Sequence, residues 1–285
     1  MSAGRPFGQR LRAATDERGQ LCVGIDPHPA LLRAWGLDDD AEGLARFALS
    51  TVAALAGDVA VLKPQSAFFE RHGARGIAVL EQTVLAAREA GALVVLDVKR
   101  GDIGSTAQAY ADAYLPDTAP LAADAVTVSP YLGFGALRPF LDTARAHGAG
   151  VFVVALTSNA EGGSVQHARV VREDVGGGTV ARTVAGDVLA AIRAENADDK
   201  HGSVGAVVGA TLDHTDEDLD VSGPLLVPGL GAQGGTVADV GRLFRPVRRR
   251  VLASASRSVL DSGPDATRLL DTALRTRDEL AALLG

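Results

Sequence analysis

The stretch Leu93–Thr106 reads Leu-Val-Val-Leu-Asp-Val-Lys-Arg-Gly-Asp-Ile-Gly-Ser-Thr. Its first half is a short apolar run of the kind that fills a strand buried on both faces. The run ends abruptly in charges: Asp97, Lys99 and Asp102 all fall within six residues of Leu96. A lone carboxylate or ammonium is costly to desolvate, so charges at the end of a buried strand need partners. Two readings stay open on these residues alone. One is a structural ion pair at a strand end, and the other is a polar array that handles a substrate.

The same pattern recurs on either side. Leu21–Asp26 is a first strand ending in Asp26-Pro27, and Val59–Lys63 a second ending in Lys63-Pro64. Leu93–Val98 is the third and Ala125–Ser129 the fourth; Val151–Leu156 is the fifth and runs into Thr157-Ser158. Val204–Val208, Leu225–Val227 and Val251–Ala253 complete the series. Helical periodicity covers Phe7–Arg18, Ala41–Ala56, Ala74–Ala90 (with Gly91 as its stop), a stretch near Leu137–His147, and Asp265–Leu284. Ser105 is placed to cap a helix after the third strand. Strand–helix alternation implies a parallel sheet. Eight such units in a chain of this size predict an α/β fold, a (β/α)8 TIM barrel. It carries an extra N-terminal helix, a long connection between the fifth strand and the sixth, and one catalytic domain over residues 1–285. An open doubly wound sheet would call for a Gly-rich turn after an early strand, and no G-x-G-x-x-G follows any of them.

Composition narrows the function. The 285 residues are 47% hydrophobic and only 4% aromatic, so the core is built from Ala, Val and Leu. A net charge of −7 argues against general nucleic-acid binding. The basic cluster Arg245–Arg250 has no aromatic interleaving and reads as a solvated loop at the barrel bottom. The acidic run Asp213–Asp220 and the triple glycine Gly176–Gly178 read as surface segments. No run of ~18 apolar residues predicts a membrane span, and Ser2–Gly19 lacks the apolar core of a secretory leader. The expected location is the cytoplasm. Cys22, the single cysteine, excludes an internal disulfide and reads as a small core residue. Of 28 basic residues only Lys63, Lys99 and Lys200 are lysines, and two of those three close apolar strands. Lysine can donate a proton where arginine stays charged, so this placement favours a chemical role.

In a parallel barrel the functional groups gather where the strands end, around one mouth. Here those ends carry Asp26, Lys63, Asp97 with Lys99, and Thr157 with Ser158. The seventh strand runs into Pro228-Gly-Leu-Gly-Ala-Gln-Gly-Gly-Thr236, where glycines let the backbone approach a ligand and a helix start offers N–H groups to a phosphate. The eighth ends in Ala255-Ser-Arg257-Ser, and Arg257 suits a bidentate phosphate grip. Barrels commonly hold phosphate in these two loops. The six histidines show no metal-ligand spacing, so no metal site is evident; only His28 lies near the mouth.

The run Asp97-Val-Lys99-Arg-Gly-Asp102-Ile-Gly is similar to the Asp-x-Lys-x-x-Asp signature of the orotidine 5'-phosphate decarboxylase family. The resemblance extends to Gly24-Ile-Asp26, Leu62-Lys63-Pro64, Pro228-Gly-Leu-Gly231 and Arg257. Lys63-Pro-Gln-Ser-Ala-Phe-Phe-Glu70 and the long loop resemble its longer, mycobacterial-type branch. The resemblance implies decarboxylation of orotidine 5'-phosphate to UMP, the last step of pyrimidine biosynthesis, without a cofactor. It implies a tetrad of Lys63, Asp97, Lys99 and Asp102 in a homodimer, with Asp102 and Thr106 acting in the neighbour's site. Asp26 would bind the ribose, Thr157 or Ser158 would read the pyrimidine, and Gln233 and Arg257 would hold the phosphate.

Those roles fit the chemistry. Loss of CO2 leaves a carbanion at C6, which Lys99 can stabilise and then protonate. Asp97 beside the substrate carboxylate sets like charges about 4 Å apart, worth about 4 kcal/mol at an effective dielectric of ~20. Lys63 and Lys99 keep the carboxylates ionised. The remote phosphate supplies binding energy for closure of the site. Alternatives are a related Mg2+-dependent sugar-phosphate decarboxylase or aldolase barrel, a Schiff-base aldolase, or a non-catalytic phosphate-ligand binder.

Overall fold

A computed structural model of the chain describes residues 5–173, 179–199, 201–232 and 234–285. Eight of its strands close into a parallel barrel: β1 (Leu21–Ile25), β2 (Val61–Pro64), β3 (Leu93–Arg100), β4 (Ala125–Val128), β5 (Gly150–Leu156), β8 (Val204–Val208), β9 (Leu225–Leu230) and β10 (Val251–Ala255). β2, β3, β4, β5, β8, β9 and β10 follow β1 around the ring in chain order, and β10 pairs back onto β1. This is the expected (β/α)8 barrel.

The connection from β5 to the sixth barrel strand holds more structure than its reading as a loop implied. It contains an antiparallel hairpin of β6 (Arg169–Glu173) and β7 (Thr179–Thr183), then the helix Val184–Glu195. Gly176–Gly178 lies outside the described residues. Two short helices, Pro29–Ala34 and Ser66–Glu70, sit in loops after β1 and β2. β9 extends three residues past the predicted Val227, because Pro228 still pairs with Ser254 and Leu230 with Ala255. Ser105 does not cap its helix. That helix starts at Gly104, with Ile103 in the cap position and no side-chain cap bond. The Asp102 carboxylate accepts the Ile103 N–H instead.

The apolar side chains form two bodies. The larger lies between barrel and helices. The smaller joins Cys22, Val61, Val95, Ala125, Phe152, Val207, Leu226 and Leu252 with Phe7, Leu11 and Ala14 of the N-terminal helix Phe7–Arg18. That helix thus plugs the bottom of the barrel, with Phe7 edge-on to Phe152 at 5.9 Å. Burial pushes the Cys22 thiol up to about 12, so it stays a neutral packing group. None of the described helices is long and apolar enough to cross a membrane.

Strand side chains alternate with a period of two. Two residues above Val61, Val95 and Ala125 on the inward face come Lys63, Asp97 and Thr127. The barrel interior therefore changes from hydrocarbon to a polar layer in one step, at the end where the strands finish.

Candidate active site

Asp97 is the hub of that layer. Lys63 Nζ donates to its Oδ2 at 2.9 Å, and Lys99 Nζ to its Oδ1 at 2.6 Å. Thr127 Oγ1 donates to Oδ1 at 2.8 Å. Lys63 and Asp97 are each 5% exposed; the Lys99 side chain, by contrast, is 47% exposed and stands in the open mouth. Burial alone would raise the Asp97 pKa, but the two ammonium groups outweigh it and hold the carboxyl well below the ordinary aspartate range. Burial likewise works against charge on Lys63, yet Asp97 and Asp26 overcome it and keep the ammonium protonated beyond the ordinary lysine range. The result is a buried, ionised Lys63–Asp97 pair with Lys99 at its open end.

Asp26 adds a second carboxylate, its Oδ1 4.0 Å from Lys63 Nζ. Its Oδ2 accepts from Ser256 Oγ at 2.6 Å, and the buried Oδ1 has no hydrogen-bond partner among the described residues. Gly24 makes that contact possible, because a Cβ there would stand 2.9 Å from the Ser256 side chain. His28 rests edge-on to Phe68 at 4.2 Å, and burial makes its imidazole a weaker base than usual.

On the far side of the mouth, the β9 and β10 loops touch. Gly231, at φ +80°, packs so close to Ser258 that a Cβ would stand 2.6 Å away. Arg257 opens the helix Arg257–Leu260 directly above β10 and is exposed. The helix after the glycines starts at Val237, as predicted, but its first turn is already occupied. Thr236 and Asp239 form a reciprocal capping box there. The Thr236 and Asp239 N–H groups are thereby satisfied within that turn, which leaves the glycine loop and Arg257 as the candidate anion contacts of this corner. Gln233 lies outside the described residues.

The family model for "Orotidine 5'-phosphate decarboxylase / HUMPS family" matches residues 19–269, which takes in every barrel strand and the mouth. The chain belongs to this family. An orotidine 5'-phosphate decarboxylase of Nocardioides sp. is 62% identical over 277 residues, covering 96% of this chain and 98% of that protein. One from Streptomyces coelicolor is 59% identical over 277 residues, covering 96% and 97%. A crystal structure from Streptomyces avermitilis, provisionally described as the same enzyme, superposes with a TM-score of 0.92 at 56% identity, covering 99% of this chain and 97% of that one. The OMP decarboxylase of Leishmania donovani gives 0.73 at 30% identity, covering 98% of each chain.

Set against the family resemblance, the predicted residues divide into three groups. Lys63, Asp97, Lys99 and Asp26 come together as one charged cluster. Thr157, Ser158 and Arg257 stand at strand ends on the same rim. Asp102 and Thr106 stay apart: Asp102 bonds its own loop, and Thr106 is exposed on the helix Gly104–Tyr114. Between Thr157 and Ser158 the bonding differs. The Thr157 hydroxyl is engaged with Asn159 and Gln166, both at 2.6 Å. Ser158 is exposed, and no hydrogen bond to its hydroxyl is found among the described residues. Three contributors escaped the sequence reading. Ser256 holds Asp26, Thr127 holds Asp97, and Glu70, in the helix after β2, accepts from Arg100 at the end of β3 at 2.6 Å. Thr127 had a signal: it stands two residues beyond Ala125 in β4, as Asp97 stands two beyond Val95 in β3.

Proposed function

We propose that the chain decarboxylates orotidine 5'-phosphate to UMP and CO2 as a single catalytic domain in the cytoplasm, with no cofactor. The observation that carries this is the Lys63–Asp97–Lys99 array, buried at one end and open at the other. A carbanion at C6 of the pyrimidine needs a nearby cation and no electron sink. Lys99, exposed in the mouth, supplies that charge and then the proton. Asp97, held ionised by two ammonium groups, faces the substrate carboxylate and disfavours it relative to the departing CO2. Lys63 secures Asp97 and Asp26 from below. The unpartnered Asp26 Oδ1 is an acceptor ready for a ribose hydroxyl. Ser158, whose hydroxyl is free, reads the pyrimidine in preference to Thr157, whose hydroxyl is engaged. Arg257, the glycine loop that follows β9 and Gln233 hold the phosphate. That remote contact supplies binding energy that can be used to orient the reacting centre.

The working unit is a homodimer in which Asp102 completes the neighbour's tetrad and Thr106 reaches into the neighbour's site. Two features support it. Asp102 forms no ion pair with any of the described residues of its own mouth. Ile103, Tyr131 and Leu132, in the loops after β3 and β4, are 62%, 78% and 54% exposed, an apolar rim beside the site.

The test follows the loss of orotidylate absorbance with purified protein in EDTA. Turnover at full rate is expected. No turnover would sink the assignment, and turnover only on adding Mg2+ would point to the sister barrels. The lysines of a Schiff-base aldolase would be trapped by borohydride with substrate present, and none is expected to be.

A further inference from the structure

We infer that Thr127 is a positioning residue for decarboxylation, its hydroxyl fixing both the orientation of the Asp97 carboxylate and the backbone turn that delivers Lys99 to the mouth. This rests on the reading that Asp97 and Lys99 face the substrate. Along the β3–β4 ladder, Leu96 lies opposite Val126, and the next pair is Arg100 opposite Val128. Three residues of β3, Asp97 to Lys99, therefore face the single residue Thr127. Such a bulge takes backbone N–H groups out of register with the neighbouring carbonyls. Here the Thr127 hydroxyl receives them: Oγ1 accepts from Val98 N at 3.0 Å and from Lys99 N at 2.9 Å. Its one hydrogen goes to Asp97 Oδ1 at 2.8 Å. A hydroxyl has one donor and two acceptor sites, and all three are used on residues 97–99.

The backbone at Lys99 shows what those bonds hold. Its φ is +43°, in the left-handed region that residues with a Cβ avoid, and among described non-glycine residues only Ser222 shares that sign. Such a conformation persists where the surroundings over-determine it. Thr127 is 1% exposed, so no water replaces it readily. Lys99 Nζ and Thr127 Oγ1 both bond the same Asp97 oxygen. One hydroxyl thereby sets the two catalytic groups relative to each other.

The test is steady-state kinetics on Thr127→Val, which keeps the shape and removes the hydroxyl, beside Thr127→Ser, which keeps the hydroxyl. Misplacement of a reacting group by about 1 Å costs on the order of 100-fold in rate. Thr127→Val should therefore lose about 100-fold in kcat while KM changes less than about threefold, and Thr127→Ser should stay within about fivefold of the parent. A Val variant within threefold of the parent kcat overturns the inference, as does a loss carried mainly by KM. Should Val prevent folding, Thr127→Ser and Thr127→Ala differ by the hydroxyl alone; Ser at least tenfold faster supports the role, and equal rates overturn it. An inactive parent enzyme would instead defeat the assigned reaction itself, which separates the two failures.

Discussion

Replacing Lys63 with Met removes one charge from the buried array and almost no volume. Two carboxylates lose their partner, Asp97 at 2.9 Å and Asp26 at 4.0 Å. At an effective dielectric of about 20, those attractions are roughly 6 and 4 kcal/mol before the cost of burying the ammonium is subtracted. Removing one member of a buried pair typically costs about 3–5 kcal/mol net. Lys99 remains on Asp97, and Asp26 keeps Ser256, so the lower end applies, about 3 kcal/mol. Asp97→Asn should cost a similar amount, because it leaves the Lys63 ammonium with only the more distant Asp26. The double variant should cost little more than either single one, giving a coupling of at least 2 kcal/mol between neighbours that share a network. Urea unfolding of all four proteins at pH 7 and one fixed protein concentration provides the cycle. Without Lys63, Asp97 should titrate nearer the ordinary aspartate range, so the deficit of Lys63→Met should shrink as the pH falls through it. A loss under 1 kcal/mol for Lys63→Met, or single effects that add within about 0.5 kcal/mol, would refute the picture of one mutually dependent array.

Arg257→Ala should lower kcat/KM for orotidine 5'-phosphate roughly 10- to 100-fold, the worth of a charged hydrogen bond. It should barely change kcat/KM for the nucleoside without its phosphate, and an equal loss on both would place Arg257 outside the phosphate grip. Asp97 has a depressed pKa, so its contribution to stability is present above about 3.9 and is lost as the pH falls below that. Lys63 has a raised one, so its contribution is present below about 10.4 and is lost as the pH climbs beyond it. The Tm difference between the parent and Asp97→Asn should then be flat from about pH 5 to pH 9; a step inside that window would contradict the ionisation states assigned here. Mixing Lys99→Ala dimers with Asp102→Ala dimers should restore part of the activity through hybrids, and restoration of none despite proven subunit exchange would end the shared-site reading.

The barrel was legible because its strands are continuous apolar runs, buried on both faces, which stand out against amphipathic helices. The hairpin Arg169–Glu173 with Thr179–Thr183 was not, for the opposite reason. Its strands pair with each other rather than with the barrel, and Arg169, Val171, Ala181 and Arg182 are all exposed, so these positions carry no apolar pattern of a buried face. Pro228-Gly229 read as the end of a strand, since proline lacks an N–H and glycine favours turns. In a parallel ladder Pro228 can still accept, and its carbonyl takes the Ala210 N–H at 2.8 Å. Pro29–Ala34 and Ser66–Glu70 are too short to show helical periodicity. Lys63, Asp97 and Lys99 announced themselves as charges where hydrocarbon was due. Ser256 and Thr127 are small hydroxyl residues that fit any strand end, and only strand register reveals what they touch.

That register also explains why the array suits a substrate that arrives with a carboxylate and leaves without it. Lys63 and Lys99 balance Asp26 and Asp97 in formal charge, so the cluster as a whole is neutral. On the proposed reaction, the substrate carboxylate adds one uncompensated negative charge, and it adds it beside Asp97. Decarboxylation moves that charge from the carboxylate onto C6, away from Asp97 and toward Lys99. The fixed charges need not move, since Asp97 is clamped by three donors and only Lys99 extends into the mouth. The stabilisation is thus prearranged in the fold, at the expense of burying an ion pair that contributes little to stability by itself. A rearranging site would have to reorient its dipoles during the reaction. This one has its dipoles set by β2, β3 and β4 before the substrate binds.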